Sequence, residues 1–158
     1  MRKWIISAAS MMAGAAAGAG ALKRVEDKKY KRQKELSERH LDLFLLMNQW
    51  VKVKQRGKSP ADYLEEKNYM KVAVYGMSYV GETLIEELKN TSVQVAYGID
   101  RKGGDLSCEI EVFTMEDPLS QVDAVIVTAI TFYDEIEEEL SQKVNCPILS
   151  LEDILYEI

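Results

Sequence analysis

The residues best placed to do chemistry lie in one short stretch, Gly76-Met77-Ser78-Tyr79-Val80-Gly81. An apolar segment, "KVAVY", runs into it, and "YVGETLIEELK" runs out, with Val80, Leu84, Ile85 and Leu88 on one helical face. A strand that enters a glycine turn and leaves as a helix aims backbone N–H groups at one point, where the helix dipole favours negative charge. What such a turn can do is hold a phosphate. Glycine serves there in three ways: it permits a tight turn, lets the backbone approach the anion, and lets helix pack closely on strand. Gly76 and Gly81 fill the first and third places, and Ser78 stands in the second. Its side chain narrows the approach, while its hydroxyl offers a phosphate one more hydrogen bond. Met77 and Tyr79 add bulk on either side.

Other candidates gather around this turn. Asp100 ends the apolar segment "SVQVAYGID", at the position where an acid commonly takes ribose hydroxyls. Arg101 and Lys102 follow it; they could meet a phosphate or lie in a solvated turn before Gly103-Gly104. Thr128, Thr131 and Tyr133 follow a further apolar segment and are expected to face the same crevice, as ligand hydrogen-bonders or as backbone caps. No catalytic constellation accompanies them. His40, the single histidine, reads as a surface residue. Tyr63 and Lys67 match the YxxxK spacing of short-chain dehydrogenases, but they precede the glycine turn and read as two exposed residues on one helix face. The carboxylates of "YDEIEEEL" spread around a helix as a solvated surface. Cys108 and Cys146 lack metal-ligand spacing and read as buried free thiols.

The elements that position these residues alternate from Met70 onward. The strands are "MKVAVYG", "SVQVAYGID", "CEIEVFT", "DAVIVTAI" and "CPILSL". Helices run from Tyr79 to Lys89, over "YDEIEEELSQKV" and over "LEDILYEI", with "MEDPLSQV" a brief helical turn. Continuous β-branched strands separated by helices imply a parallel sheet covered on both faces. Right-handed crossovers give the order 3-2-1-4-5, a Rossmann-like α/β half whose crevice opens at the carboxyl ends of the first and fourth strands.

Upstream the chain changes character. Residues 1–58 hold 14 Lys and Arg against 5 Asp and Glu, and residues 59–158 hold 6 against 21. So acidic a globular part argues against nucleic acid as a partner. Residues 1–22 contain an uncharged run, Trp4 to Leu22, of about the length needed to span a bilayer. The basic "LKRVEDKKYKRQK" behind it keeps the following chain on the cytoplasmic side, which favours a single-pass transmembrane anchor helix at the cell membrane. A cleaved signal peptide ending at Ala19-Gly20-Ala21 and a helix packed on protein are the alternatives. Gly14 and Gly18 permit close helix pairing. Residues 23–68 read as a basic stalk and amphipathic helices, Gly57 ending one helix and Ser59-Pro60 starting the next, before the nucleotide-binding domain at 69–158. Within "LDLFLLMNQWVKV" two seams appear: Leu41, Phe44, Asn48 and Val51 form one, and Leu43, Leu46, Trp50 and Val53 the other. Two seams suggest one face on the domain and one on a partner chain, a homodimer through residues 41–53 among the choices; a helix buried on all sides is the alternative.

The segments "KVAVYGMSYVGETLIEEL", "YGIDR", "VDAVIVTAI…YDEIEEEL" and "CPILSLEDIL" together resemble a small Rossmann-like family of bacterial polysaccharide-biosynthesis loci. Its members are labelled nucleoside-diphosphate-sugar epimerase-like or CoA-binding-like, and similar domains accompany glycosyltransferases, sugar acyltransferases and phosphoglycosyl transferases. The resemblance implies ligand-side roles for Gly76, Ser78, Gly81 and Asp100, NAD(P) or a nucleotide-sugar as ligand, and a polysaccharide-assembly enzyme as partner. Extended epimerases carry a fuller glycine motif and a downstream Tyr/Lys pair, which this chain lacks. The expectation is therefore a membrane-anchored cytoplasmic module that binds a nucleotide or nucleotide-sugar in an accessory role. An NAD-dependent epimerase or dehydrogenase completed by a partner, and an interaction scaffold without a ligand, stand beside it.

Overall fold

The computed structural model describes the backbone of residues 2–101 and 110–158, and the side chains of residues 26–101 and 110–158. Two compact units divide the chain, Met1–Leu43 and Phe44–Ile158. The long helix α1, Arg2–Gln55, contributes to both. Within the first unit the described side chains are exposed, and the ion pairs Lys31–Glu35 and Lys34–Glu38, at 3.9 and 3.7 Å, lie one turn apart along the helix. The expected anchor at residues 1–22 falls on side chains outside the described residues. Among the described residues no helix is long and apolar enough to cross a membrane.

The second unit holds α2 (Pro60–Glu66), β1 (Lys71–Tyr75), α3 (Tyr79–Leu88), β2 (Gln94–Ile99), β3 (Val112–Phe113), β4 (Ala124–Val127), α4 (Tyr133–Ser141), β5 (Ile148–Ser150) and α5 (Leu151–Glu157). A 3₁₀ turn, Ile130–Phe132, leads into α4. The sheet is parallel throughout and ordered β3-β2-β1-β4-β5, as the alternation of strands and helices predicts. Side chains alternate across it. Val72, Val74, Ala124 and Ile126 lie in the core formed with the end of α1 and with α2, α3 and α5. Ala73, Tyr75, Val125 and Val127 lie in the core formed with Ile136 and Leu140 of α4. The register between β1 and β2 slips between Val72 and Ala73, so that Val95 packs on the first face while Tyr97 and Ile99 both pack on the second.

Local chemistry explains the element ends. At the end of α1, Gly57 sits at φ +72 while its N–H donates to the Lys54 carbonyl (2.9 Å) and the Lys58 N–H to that of Val53 (3.2 Å), a Schellman cap. Ser59 and Asp62 form a reciprocal capping box at the start of α2, with Pro60 in the first turn. The Asp123 carboxylate accepts the Met70 and Lys71 N–H groups at 2.9 and 2.7 Å and so ties the start of β1 to β4. Of the helical turn expected within "MEDPLSQV", only one hydrogen-bonded turn forms, closed by the Asp117 N–H on the Thr114 carbonyl at 3.3 Å, and no helix follows it. Asp117 instead accepts the Thr114 N–H (2.7 Å) and hydroxyl (2.8 Å), bonds that hold its carboxyl below the usual range, and Pro118 has no N–H to continue a helix. The third strand is also shorter than "CEIEVFT"; its first residues, Cys108 included, lie outside the described residues.

The packed unit takes in the later part of the 23–68 stretch. Leu46, Trp50 and Val53 are buried. Gln49 Nε2 donates to the Leu155 carbonyl at 2.8 Å, and Trp50 Nε1 donates to Glu87 Oε2 at 2.8 Å. Of the second seam, Leu46, Trp50 and Val53 therefore serve the domain, while Leu43 is exposed. The alternative of a helix buried on all sides does not hold: Phe44, Leu45, Met47 and Val51 are exposed. Leu46→Ala is expected to lower stability by about 2–5 kcal/mol, the cost of emptying a filled core site, seen as a lower midpoint in urea denaturation; an unchanged midpoint would mean that α1 is not seated on the sheet.

Candidate functional site

The strand order reverses at β1, between β2 and β4, and the glycine turn leaves the sheet there. Gly76 adopts φ +98, a conformation costly for any residue with a side chain. A Cβ at Gly76 would also stand 2.7 Å from Thr128 Oγ1, and one at Gly81 would stand 2.1 Å from the Gly76 carbonyl oxygen. Two of the three glycine roles, tight turn and close helix packing, are thus realised. Ser78 is exposed and extended, at φ −101 and ψ −172; it is the N-cap of α3, yet its hydroxyl makes no capping bond. Tyr79 projects into solvent at 87 % exposure.

The other expected site residues divide between rim and interior. Met77 is buried, its sulfur filling the space a Cβ on Gly98 would need, at 2.7 Å from that position. Thr128 is buried too, and its hydroxyl lies 2.7 Å from the Gly76 carbonyl and 3.0 Å from that of Tyr75. It braces the turn from beneath. Asp100 Oδ2 accepts the Met77 N–H at 3.0 Å, so the carboxylate expected on a ribose also fixes the loop. Arg101 is exposed; its guanidinium sits 5.9 Å from the Phe132 ring centre and 4.0 Å from Glu135. The adjacent Tyr75 hydroxyl, with the carboxylates of Glu139 and Glu135, holds the guanidinium above its ordinary value. Lys102 lies outside the described residues. Thr131 is exposed in the 3₁₀ turn. Tyr133 turns away from the glycine turn, its hydroxyl within reach of the Ile148 carbonyl (2.9 Å) and Glu137 (3.0 Å).

Sequence reasoning missed four participants. Gly98 is the socket for Met77, and the glycine in "AYGID" was the only signal for it. Tyr75 carries a buried hydroxyl with no hydrogen bond of normal geometry. Phe132 and Glu135 flank Arg101, a placement that depends on how the 3₁₀ turn meets β2.

The Tyr63/Lys67 pair shows what the site is not. Lys67 Nζ lies 5.4 Å from the Tyr63 ring centre, but Tyr63 is half-buried rather than exposed. Burial and the neighbouring Glu157 push its phenol up to about 12, opposite to the lowering that a catalytic tyrosine requires. Among the described residues no group of three His, Cys, Asp or Glu side chains could hold a metal ion. Cys146 is a half-buried free thiol whose pKa burial raises, so it is a poor nucleophile. What remains at the turn is the uncapped start of α3 with the exposed Ser78 hydroxyl, and Arg101 follows the loop-bound Asp100 in sequence.

The architecture is that of a Rossmann-like parallel α/β domain with a braced glycine turn at its switch point. No family model, curated protein or solved structure matches the chain.

Gly81→Ala is expected to destabilise the fold by about 1–3 kcal/mol through overpacking, even though alanine is the better helix former by about 1 kcal/mol. A raised melting temperature would mean that the contact with the Gly76 carbonyl is not close. Two half-buried tyrosines set an alkaline limit. Burial and Glu137 push Tyr133 up to about 12, and Tyr63 is raised to about 12 as well. The folded state therefore keeps protons that the unfolded chain begins to lose near pH ~10. Stability from these groups is full below that pH and falls as pH rises through the folded values; denaturation midpoints from pH ~9 to ~12 check the sign.

Proposed function

We propose that the domain binds the diphosphate of a nucleotide or nucleotide-sugar at the start of α3 and presents it without transforming it. The observation that carries this reading is the uncapped N-terminus of α3, opening at the switch point with Ser78 and Tyr79 exposed on its rim. Arg101 supplies a cation beside the loop, and the ring of Tyr79 offers a face on which a base can stack. The resemblance to the polysaccharide-locus family supports a nucleotide-sugar over other phosphates. The same likeness, with the uncharged segment 4–22 and the basic stretch after it, supports membrane anchoring and an accessory role beside a polysaccharide-assembly enzyme. Lack of a nucleophile and base among the described site residues supports presentation over turnover. The loop's own bonds to Asp100 and Thr128 mean that the ligand docks on the turn rather than within it.

A thermal-shift panel of NAD(P), nucleoside-diphosphate sugars and CoA on the full chain tests the reading. A stabilising shift is expected from a diphosphate ligand, and no shift from any would sink it. Ser78→Asp sharpens the test. Aspartate is a strong N-cap that preserves or raises stability without ligand, while its charge repels a phosphate. The ligand-induced shift is expected to vanish in this variant; persistence would place binding elsewhere.

A further inference from the structure

Among the described residues, the outer face of α1 in the second unit gathers four exposed large apolar side chains. Phe44 is 67 % exposed, Val51 51 %, Leu45 45 % and Met47 37 %. Together they leave roughly 400 Å² of apolar surface, a size at which a patch is commonly functional. Their order is specific. Phe44, Asn48 and Val51 follow one another at steps of four and three, and Leu41 and Gln55 continue the spacing in sequence. That is the a/d pattern of a coiled coil, with Leu41, Asn48 and Gln55 at a, and Phe44 and Val51 at d. It runs beside, and apart from, the buried row Leu46, Trp50 and Val53. Met47 and Val51 also form one wall of an apolar groove of about 390 Å³, closed on the other side by Thr83 and Glu87 of α3.

From this we infer that the face is occupied by the α1 helix of a second copy of the chain, in parallel. Orientation follows from charge. Met47 and Lys54 occupy the flank of the seam on the side of α3, where Glu82, Glu86 and Glu87 line the surface, and Lys52 occupies the other flank. In a parallel pair each flank meets the opposite flank of its partner. Lys52, exposed and without an ion pair among the described residues, then approaches the acidic bank of α3 on the other copy, and the two α3 helices lie on opposite sides of the pair. An antiparallel pair would place both acidic α3 helices on the same side, without that compensation. Asn48 at an a position acts in the same direction: facing its own copy, an asparagine pair satisfies itself and fixes two strands in register. The area is sufficient for a weak, specific contact. Two patches of this size, with Asn48, Lys52 and Gln55 among them, bring the interface to about 1,000 Å² or a little above, the lower limit for specific association. Copies held on one membrane, as the proposed anchor would hold them, gain further from effective concentration.

Sedimentation of the full chain in mild detergent, with dimer expected at tens of micromolar, tests the inference. Phe44→Glu with Val51→Glu alters only exposed positions, so the fold persists, checked by circular dichroism, and the protein is expected to become monomeric. A dimer that survives this double change is held elsewhere, for example through Gly14 and Gly18, and overturns the inference, as does a wild-type monomer. Lys52→Glu is expected to weaken dimerisation roughly two- to five-fold, the size of an exposed ion pair, with Glu82→Lys on the same chain restoring it. Orientation is read from cysteines in a Cys108→Ser, Cys146→Ser background. Asn48→Cys is expected to form an intermolecular disulfide under mild oxidation, and Glu66→Cys, off the seam, is not. Crosslinking of Leu41→Cys to Val51→Cys in place of the symmetric bond at position 48 would establish the antiparallel pair and refute the parallel one.

Discussion

A parallel sheet has no face to give to water, and this constraint organises the molecule. The central strands β1 and β4 are buried through both faces, so two layers of cover are required. One face is covered by α4 with the aromatic side chains of the second core. The other is covered by α2, α3, α5 and the end of α1, drawn from outside the alternating strand–helix pattern. Helix α1 is therefore part of the domain. Its attachment is polar as well as apolar, since Gln49 bonds the Leu155 carbonyl and Glu87 receives both the Trp50 indole and, at 3.0 Å, the Lys54 ammonium. Removing one member of such a buried or half-buried set leaves another unsatisfied, which makes the seat of α1 more demanding than its area alone suggests.

The same demand for close cover fixes the glycine turn. Helix α3 can lie on β1 only if Gly81 passes over the Gly76 carbonyl, with Thr128 rising from β4 beneath both. Asp100 holds the turn from the β2 side through the Met77 N–H, while the Met77 side chain fills the hollow over Gly98. Three strands thus converge on six residues, and each contact also serves the fold. The turn is rigid for structural reasons, and a ligand at α3 would meet N–H groups already in place, without an ordering cost.

How far the sequence could be read follows from the range of the forces involved. Strand order was legible because burial of both faces leaves continuous apolar runs, and right-handed crossovers restrict how they connect. The glycine roles at 76 and 81 were legible because a Cβ is forbidden there. The helix ends at Gly57 and Ser59 were legible because caps are local chemistry. Other features depended on partners far along the chain. Nothing around Asp100 announces that its carboxylate bonds a backbone N–H 23 residues earlier, and Thr128 looks the same in sequence whether it faces a ligand or a carbonyl. Whether the turn at 114–117 continued as a helix was a contest between helix-compatible composition and the carboxylate of Asp117, which only local geometry decides. The two seams of α1 could be counted in sequence, but which one the sheet would claim depended on where α3 and α5 lay.

Helix α3 joins the two surfaces of interest. Its start carries the exposed Ser78 as N-cap, and its last two turns carry Thr83 and Glu87, which wall the groove beside α1. A helix of ten residues is about 15 Å long, so a ligand at one end and a partner helix at the other would act on a single rigid body. Coupling between them would need a second position for that body. The contact of Gly81 with the Gly76 carbonyl resists such a shift, because even small sliding drives the helix backbone into β1. The Glu87 bonds to Trp50 and Lys54 resist it at the other end. On the proposed reading, the architecture favours constant presentation over switching: a ligand at the start of α3 would be held at a fixed distance and angle from the α1 face, whatever occupies that face.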